Sequence, residues 1–168
     1  MTIKDIIKSK LFKRKKNAWF LCTKQKNETS QAVKKALKND GLLLLFVVFP
    51  GCQVCSNSFR MTNTSAFGRF LEEKKLSALM IADSESHSEE LSDDAKAYEP
   101  FASSPFLALV KVKKESLKTK HFSLSKKNGD IEKVYGVSSS ISLPFIDDET
   151  AIEWINNILT KKEDGQDA

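Results

Sequence analysis

Two cysteines three positions apart, Cys52 and Cys55 in the run Cys52-Gln53-Val54-Cys55, are the residues whose types and spacing could do chemistry. A CxxC alone is ambiguous: it reads as half of a zinc site, as a redox pair or as chance. Zinc takes about four ligands. Only Cys22, His87 and His121 could complete the set, and their spacing matches no zinc module, so no metal is expected. The context favours redox chemistry. The motif follows an apolar run, Leu42 to Phe49, closed by Pro50-Gly51, and opens a segment of helical character. Cys52 then falls at or just before a first helical turn. There, unpaired backbone N–H groups and the helix dipole stabilise the thiolate. A cysteine so placed moves from a pKa of about 8.5 into the range of roughly 3.5 to 7.5. Cys55 lies one turn further on, within reach to close a disulfide or to resolve a mixed disulfide on Cys52. A purely structural CxxC is the alternative that the residues leave open.

Other candidates carry less chemistry. Cys22 sits in an apolar stretch, where an inert buried thiol is the common outcome. His87 lies in a Ser/Glu-rich run and is expected to be solvated. His121 stands beside Phe122 with no nucleophile or carboxylate spaced to make it catalytic. Trp19 and Trp154 are expected to pack. The acidic run Asp83 to Asp94 reads as a solvated face, a docking surface for a basic partner being the sharper alternative.

The elements that must position the cysteines alternate. Ala18 to Thr23 predicts a short buried strand, and Glu28 to Asn39 a helix capped by Asn27 or Thr29 and ended by Gly41. Leu42 to Phe49 is apolar throughout, as in a central strand covered on both faces. The helix after Cys55 should break at Thr62 to Ser65 and restart with Ser65 as its cap. Strands are predicted at Leu76 to Ala82 and Phe106 to Val112, with a short exposed helix at Glu89 to Tyr98 between them. Lys113 to Lys120 reads as a polar connection. Lys127-Asn128-Gly129-Asp130 is a hairpin-turn signal between His121 to Ser125 and Ile131 to Tyr135. Asp147 or Asp148 caps a final helix with Ile152, Ile155, Ile158 and Leu159 inward, and 161–168 reads as a frayed tail. The result is an α/β fold with a mixed sheet and helices on both faces.

Composition narrows the classes. The chain has 168 residues, a net charge of +5 and three cysteines. That length suits one domain, and three cysteines are too few for a disulfide scaffold. The eight-residue run Leu42 to Phe49 is far short of the about 20 residues a membrane span needs. Residues 1–41 hold 12 Lys/Arg and three acids, or +9; residues 42–168 hold 15 and 19, or −4. The basic excess therefore belongs largely to an N-terminal extension, 1–17, ahead of a domain at 18–160. Ile3, Ile6, Ile7 and Leu11 follow helical spacing among lysines. Four aliphatics give little membrane affinity, so this stripe (residues 1–16) is expected to pack on the domain and leave its lysines in water, not to anchor to lipid. No aromatic platform accompanies the charge, so no nucleic-acid partner is expected. No signal peptide is read at Met1 to Leu11. A native start there predicts the cytoplasm; a trimmed start leaves an oxidising extracytoplasmic compartment open.

The arrangement resembles the thioredoxin superfamily. The resemblance rests on Leu42 to Phe49 with Pro50-Gly51-Cys52-Gln53-Val54-Cys55, on Ser104-Pro105 leading into Phe106 to Val110, on Asn128-Gly129-Asp130 with Ile131 to Gly136, and on the C-terminal helix; it covers about Ala18 to Leu159. It implies a thioredoxin-like mixed sheet and a monomeric thiol–disulfide oxidoreductase with no dissociable cofactor. Its partners would be protein disulfide substrates and a redox partner. It further implies that Pro105 is cis and faces the disulfide, with Ser104, Gly51, Gln53 and Val54 contacting substrate. The chain departs from many thioredoxins in having Gly51 in place of Trp, Gln53-Val54 in place of Gly-Pro, and no carboxylate within Leu42 to Phe49. Loss of redox function would leave a binding module that holds a partner through the basic arm or the lysine-rich Lys111 to Lys127 segment.

Overall fold

The computed structural model describes residues 18–22, 26–48, 55, 57, 59–60, 62–82, 106–118, 129–139 and 147–165. The basic arm, the expected helix Glu89 to Tyr98, the extended segment His121 to Ser125 and both histidines lie outside these residues. The described elements are β1 (Phe20–Cys22), α1 (Thr29–Leu37), β2 (Leu42–Val48), α2 (Ser65–Glu73), β3 (Ser77–Ala82), β4 (Phe106–Val112), β5 (Ile131–Ser139) and α3 (Asp148–Glu163), with a 3-10 turn at Lys114–Lys118.

The five strands form one mixed sheet in the order β1-β3-β2-β4-β5. β1 and β2 each run parallel to β3, whereas β4 runs antiparallel to β2 and to β5. All seven residues of β2 are buried, as a central strand with both faces covered requires. Leu43, Leu45 and Val47 point into a cluster with Ala32, Val33 and Ala36 of α1. Leu44, Phe46 and Val48 point the other way, toward Phe67, Phe70 and Leu71 of α2 and Ala151 and Ile155 of α3. Helices therefore cover both faces, as the alternation of elements predicts.

Local chemistry shifts some boundaries. β1 is shorter than Ala18 to Thr23, because Ala18 and Trp19 bend away to bond elsewhere. At the start of α1, Asn27 Oδ1 accepts from the Thr29 N–H at 3.3 Å. Thr64, not Ser65, caps α2: its hydroxyl accepts the Phe67 N–H at 3.2 Å. β5 runs four residues past Tyr135, with bulges that leave Glu132 and Tyr135 unmatched across β4. Its described partner is β4; the expected hairpin partner, His121 to Ser125, lies outside the described residues. The polar connection after β4 is also more than a solvated loop. Ser116 is buried and donates to Asp130 Oδ1 at 2.7 Å.

The α1–β2 turn requires a glycine. Gly41 has φ +75°, and a Cβ there would stand 2.9 Å from the Val112 carbonyl oxygen. Its N–H donates to Ala36 O and its own carbonyl accepts from Val112 N, both at 2.9 Å. Gly41→Ala should therefore cost at least about 1 kcal/mol, read by urea unfolding; an unchanged midpoint would remove the turn from the account.

Asp147 caps α3. Its carboxylate is held below the usual carboxylate range by hydrogen bonds from the Thr150 hydroxyl and then the Thr150 N–H. A carboxylate depressed in the folded state stabilises above its unfolded pKa, and the contribution drains as pH falls through the lower folded value. Asp147→Ala should thus lose stability at pH 7 relative to wild type, and the gap should close in the acid range. Urea melts from pH 7 down to pH 3 test this, and a gap independent of pH contradicts it.

Candidate functional site

The site is positioned by two adjacent strand ends. Val47 of β2 pairs with Phe106 of β4. The chain leaving β2 after Val48 and the chain entering β4 at Phe106 therefore meet at one pole of the sheet. Ala82, the last residue of β3, pairs with Val48 at the same pole. Cys52 comes four residues after Val48, and Pro105 directly precedes Phe106. The register thus brings the roots of both motifs to neighbouring strands. Gly51, Cys52, Gln53, Val54, Ser104 and Pro105 themselves, and with them the isomer of the Pro105 peptide bond, lie outside the described residues.

Cys55 is described. It is helical and 4% exposed, within the apolar cluster that includes Trp19, Val48 and Phe67. Burial of this kind suits the second, resolving sulfur of a CxxC better than the attacking one, which needs access. Cys22 is a free thiol buried in the opposite cluster, against α1, so the sheet separates it from Cys55.

The helical residues after Cys55 are fastened at their far end. Arg60 donates to Asn57 Oδ1 at 2.7 Å, and the Thr62 hydroxyl donates to the Phe59 carbonyl at 3.3 Å. The turn that follows is tied to three other places. Trp19 Nε1 donates to the Thr62 carbonyl at 3.1 Å, and the Ala18 N–H donates to Asn63 Oδ1 at 3.1 Å. The Thr64 hydroxyl donates to Asp148 Oδ2 at 2.7 Å, joining the start of α2 to the start of α3. The Trp19 ring packs on Phe46 and Phe67 at 5.4 and 5.8 Å. The break expected at Thr62 to Ser65 is thus a fixed corner. The Thr64–Asp148 bond joins residues 84 apart, and no local pattern foreshadows it.

The electrostatics at this pole come from the ends of elements and not from the strand beneath. β2 carries no titratable side chain. The buried acid among the described residues is Asp130. It sits at the other pole, where Val112 pairs with Ile131 and Lys113 N donates to Asp130 O at 2.9 Å. A cleft of about 670 Å³ also lies at that far pole, bordered by Asp40, Lys111 and Glu132. No three His, Cys, Asp or Glu side chains come together among the described residues in a way that could hold a metal. No helix among them is long and apolar enough to cross a membrane.

The solution structure of a thioredoxin from Thermus thermophilus superimposes with a TM-score of 0.54, covering 86% of this chain and 89% of that one. The fold is thioredoxin-like. Sequence identity to that thioredoxin is 12%, so the likeness is one of architecture. No family model and no curated protein matches the chain. The thioredoxin-like sheet supplies the strand ends; what the pole does depends on the residues set there.

Trp19 is the side chain that clamps β1 to the corner after Cys55. Trp19→Phe removes the hydrogen bond to the Thr62 carbonyl, which should cost about 0.5–1.5 kcal/mol. Urea unfolding reads the loss, and a change under half a kcal/mol would mean the clamp is idle.

Proposed function

We propose that the protein is a thiol–disulfide oxidoreductase acting on protein disulfides through Cys52 and Cys55. The supporting observation is Cys55: it is buried in the apolar cluster behind β2, at the pole where β4 begins. Cys52, three residues earlier in the sequence, is the redox partner that we assign to it.

In the reducing direction the reduced pair meets a substrate disulfide. The Cys52 thiolate attacks one substrate sulfur, the substrate S–S bond breaks, and the released thiolate takes a proton. Cys55, as thiolate, then attacks Cys52 Sγ and displaces the second substrate sulfur, which is protonated in turn. Two electrons have passed to the substrate, and Cys52–Cys55 is oxidised. In the oxidising direction each step reverses. A dithiol or disulfide partner resets the pair, and no dissociable cofactor enters. The thiolate of Cys52 is favoured by the free N–H groups where a helix begins. β2 contributes no carboxylate to proton transfer, so water at the pole serves that role. Extended substrate would lie along the residues before β4, with Ser104 and Pro105 facing the sulfurs and Gly51, Gln53 and Val54 completing the contact.

Reduction of insulin disulfides by dithiothreitol, followed by turbidity, tests this. Wild type should accelerate precipitation, Cys52→Ser should fall to the uncatalysed rate, and Cys55→Ser should accumulate a substrate adduct on Cys52. A wild type no faster than the blank would leave the thioredoxin-like scaffold as a binding module.

A further inference from the structure

We propose that the groove between β1 and α2 is the seat of the chain's own N-terminal segment, residues 1–17, docked through the apolar stripe Ile3, Ile6, Ile7 and Leu11. The groove has a volume of about 520 Å³ and is lined by Ala18, Phe20, Leu21, Gly68, Leu71 and Glu72, among others. Ala18 both borders it and is the residue that the arm enters. That entry is fixed: Ala18 N–H donates to Asn63 Oδ1, and the next residue, Trp19, is buried.

The groove suits side chains and not an added strand. β1 is an edge strand, yet at Leu21 its backbone is already satisfied. The Leu21 N–H donates to Glu28 Oε2 at 3.3 Å, and its carbonyl accepts the Glu28 N–H at 3.0 Å. What remains open is half-exposed apolar surface at the sheet edge, Leu21 on the α2 face and Phe20 on the α1 face. An amphipathic helix laid into a groove uses such a surface.

Gly68 points the same way. It stands inside α2, where glycine is the poorest helix former after proline. A Cβ built there meets nothing within 4 Å among the described residues, so the fold as described does not require it. A closely seated helix does.

Geometry permits the docking. Ile3 to Leu11 as a helix spans about 13 Å, and residues 12–17 can bridge up to about 20 Å back to Ala18. The rim carries both signs, with Lys26, Lys35, Glu28 and Glu72. Charge therefore does not select the occupant; connectivity and apolar spacing do. Exposed Glu72 is placed to meet the arm's lysines.

The test uses the full chain carrying Ile7→benzoylphenylalanine, irradiated at low micromolar concentration, with adducts mapped by mass spectrometry in the monomer fraction. Adducts should fall on peptides containing Phe20–Leu21 and Gly68–Glu72. In parallel, tryptic cleavage at Lys8 and Lys10 should be about tenfold faster, relative to free peptides of the same sequences, in the triple variant Ile3→Ser, Ile6→Ser, Ile7→Ser than in wild type. Those changes lie in the arm and spare the sheet. Gly68→Leu, which fills the groove, should have the same effect on the arm. Adducts on a second copy, on phosphatidylserine vesicles when these are added, or elsewhere on the domain would overturn the proposal, as would equal cleavage in wild type and the triple variant.

Discussion

Strand β2 presents seven consecutive apolar side chains, all buried, and no face of it can be left to water. At roughly 1.5–3 kcal/mol per large apolar side chain, its burial is on the order of 10–20 kcal/mol, an upper estimate because unfolded chains also bury surface. Exposed ion pairs such as Lys162–Asp40 at 3.4 Å are each worth under about 1 kcal/mol. The strand therefore decides the architecture. It must sit mid-sheet, with β3 on one side and β4 on the other, and it needs a helix layer on both faces. A strand so committed has no side chain left for chemistry, which is displaced to its ends.

The ends are not equivalent. At the C-terminal end of β2, one neighbour arrives antiparallel and the other leaves parallel, so three chain segments pass the same pole. Ligand and reaction sites in open α/β sheets gather where strand order reverses in this way. The helical residues after Cys55 must then return to the start of β3, and they do so through the corner at Thr62–Thr64. That corner is held by Trp19, Asn63 and Asp148. Rigidity at the corner is what would keep a one-turn sulfur pair in register with β4, since disulfide exchange demands alignment of the attacking, central and leaving sulfurs.

Legibility in the sequence followed the strength of local signals. Phe106 to Val112 coincides with β4, and Leu42 to Phe49 exceeds the described β2 by one residue, because apolar runs bounded by charge or by Pro-Gly leave little latitude. The Cys52–Cys55 spacing and the Ser104-Pro105 entry into β4 were readable, and the strand register puts their roots side by side. Long-range polar links were not readable. Ser65 is an equally good cap by type, and Thr64, the cap that is used, is also held by the distant Asp148 carboxylate. The polar connection Lys113 to Lys120 gives no sign that Ser116 is buried, because its partner, Asp130, is brought to it by the β4–β5 pairing. The segment 161–168 read as a tail for lack of apolar residues, yet α3 continues to Glu163. Lys162 there reaches Asp40 and lies 5.5 Å from the Tyr135 ring centroid.

That last contact explains how the two poles come to differ. β5 bulges at Tyr135, and Gly136 beside it carries no side chain; a Cβ there would come within 2.6 Å of Ile158 Cδ1. α3 can therefore lie tight against the sheet and run on to the far pole, where its last turn carries Lys161 and Lys162. Cations at a helix C-terminus oppose its partial negative charge. Lys162 and Lys111 both approach Asp40, and Lys111 also approaches Glu132. With Ser116 bonded to Asp130 nearby, several polar groups of that end are turned toward one another. Mutually engaged charges make a poor reactive surface, since a ligand must displace partners already in place. Among the described residues, the opposite pole has strand ends, helix starts and the Cys55 sulfur. The proposed nucleophile would stand there, where backbone N–H groups at a helix start favour a thiolate.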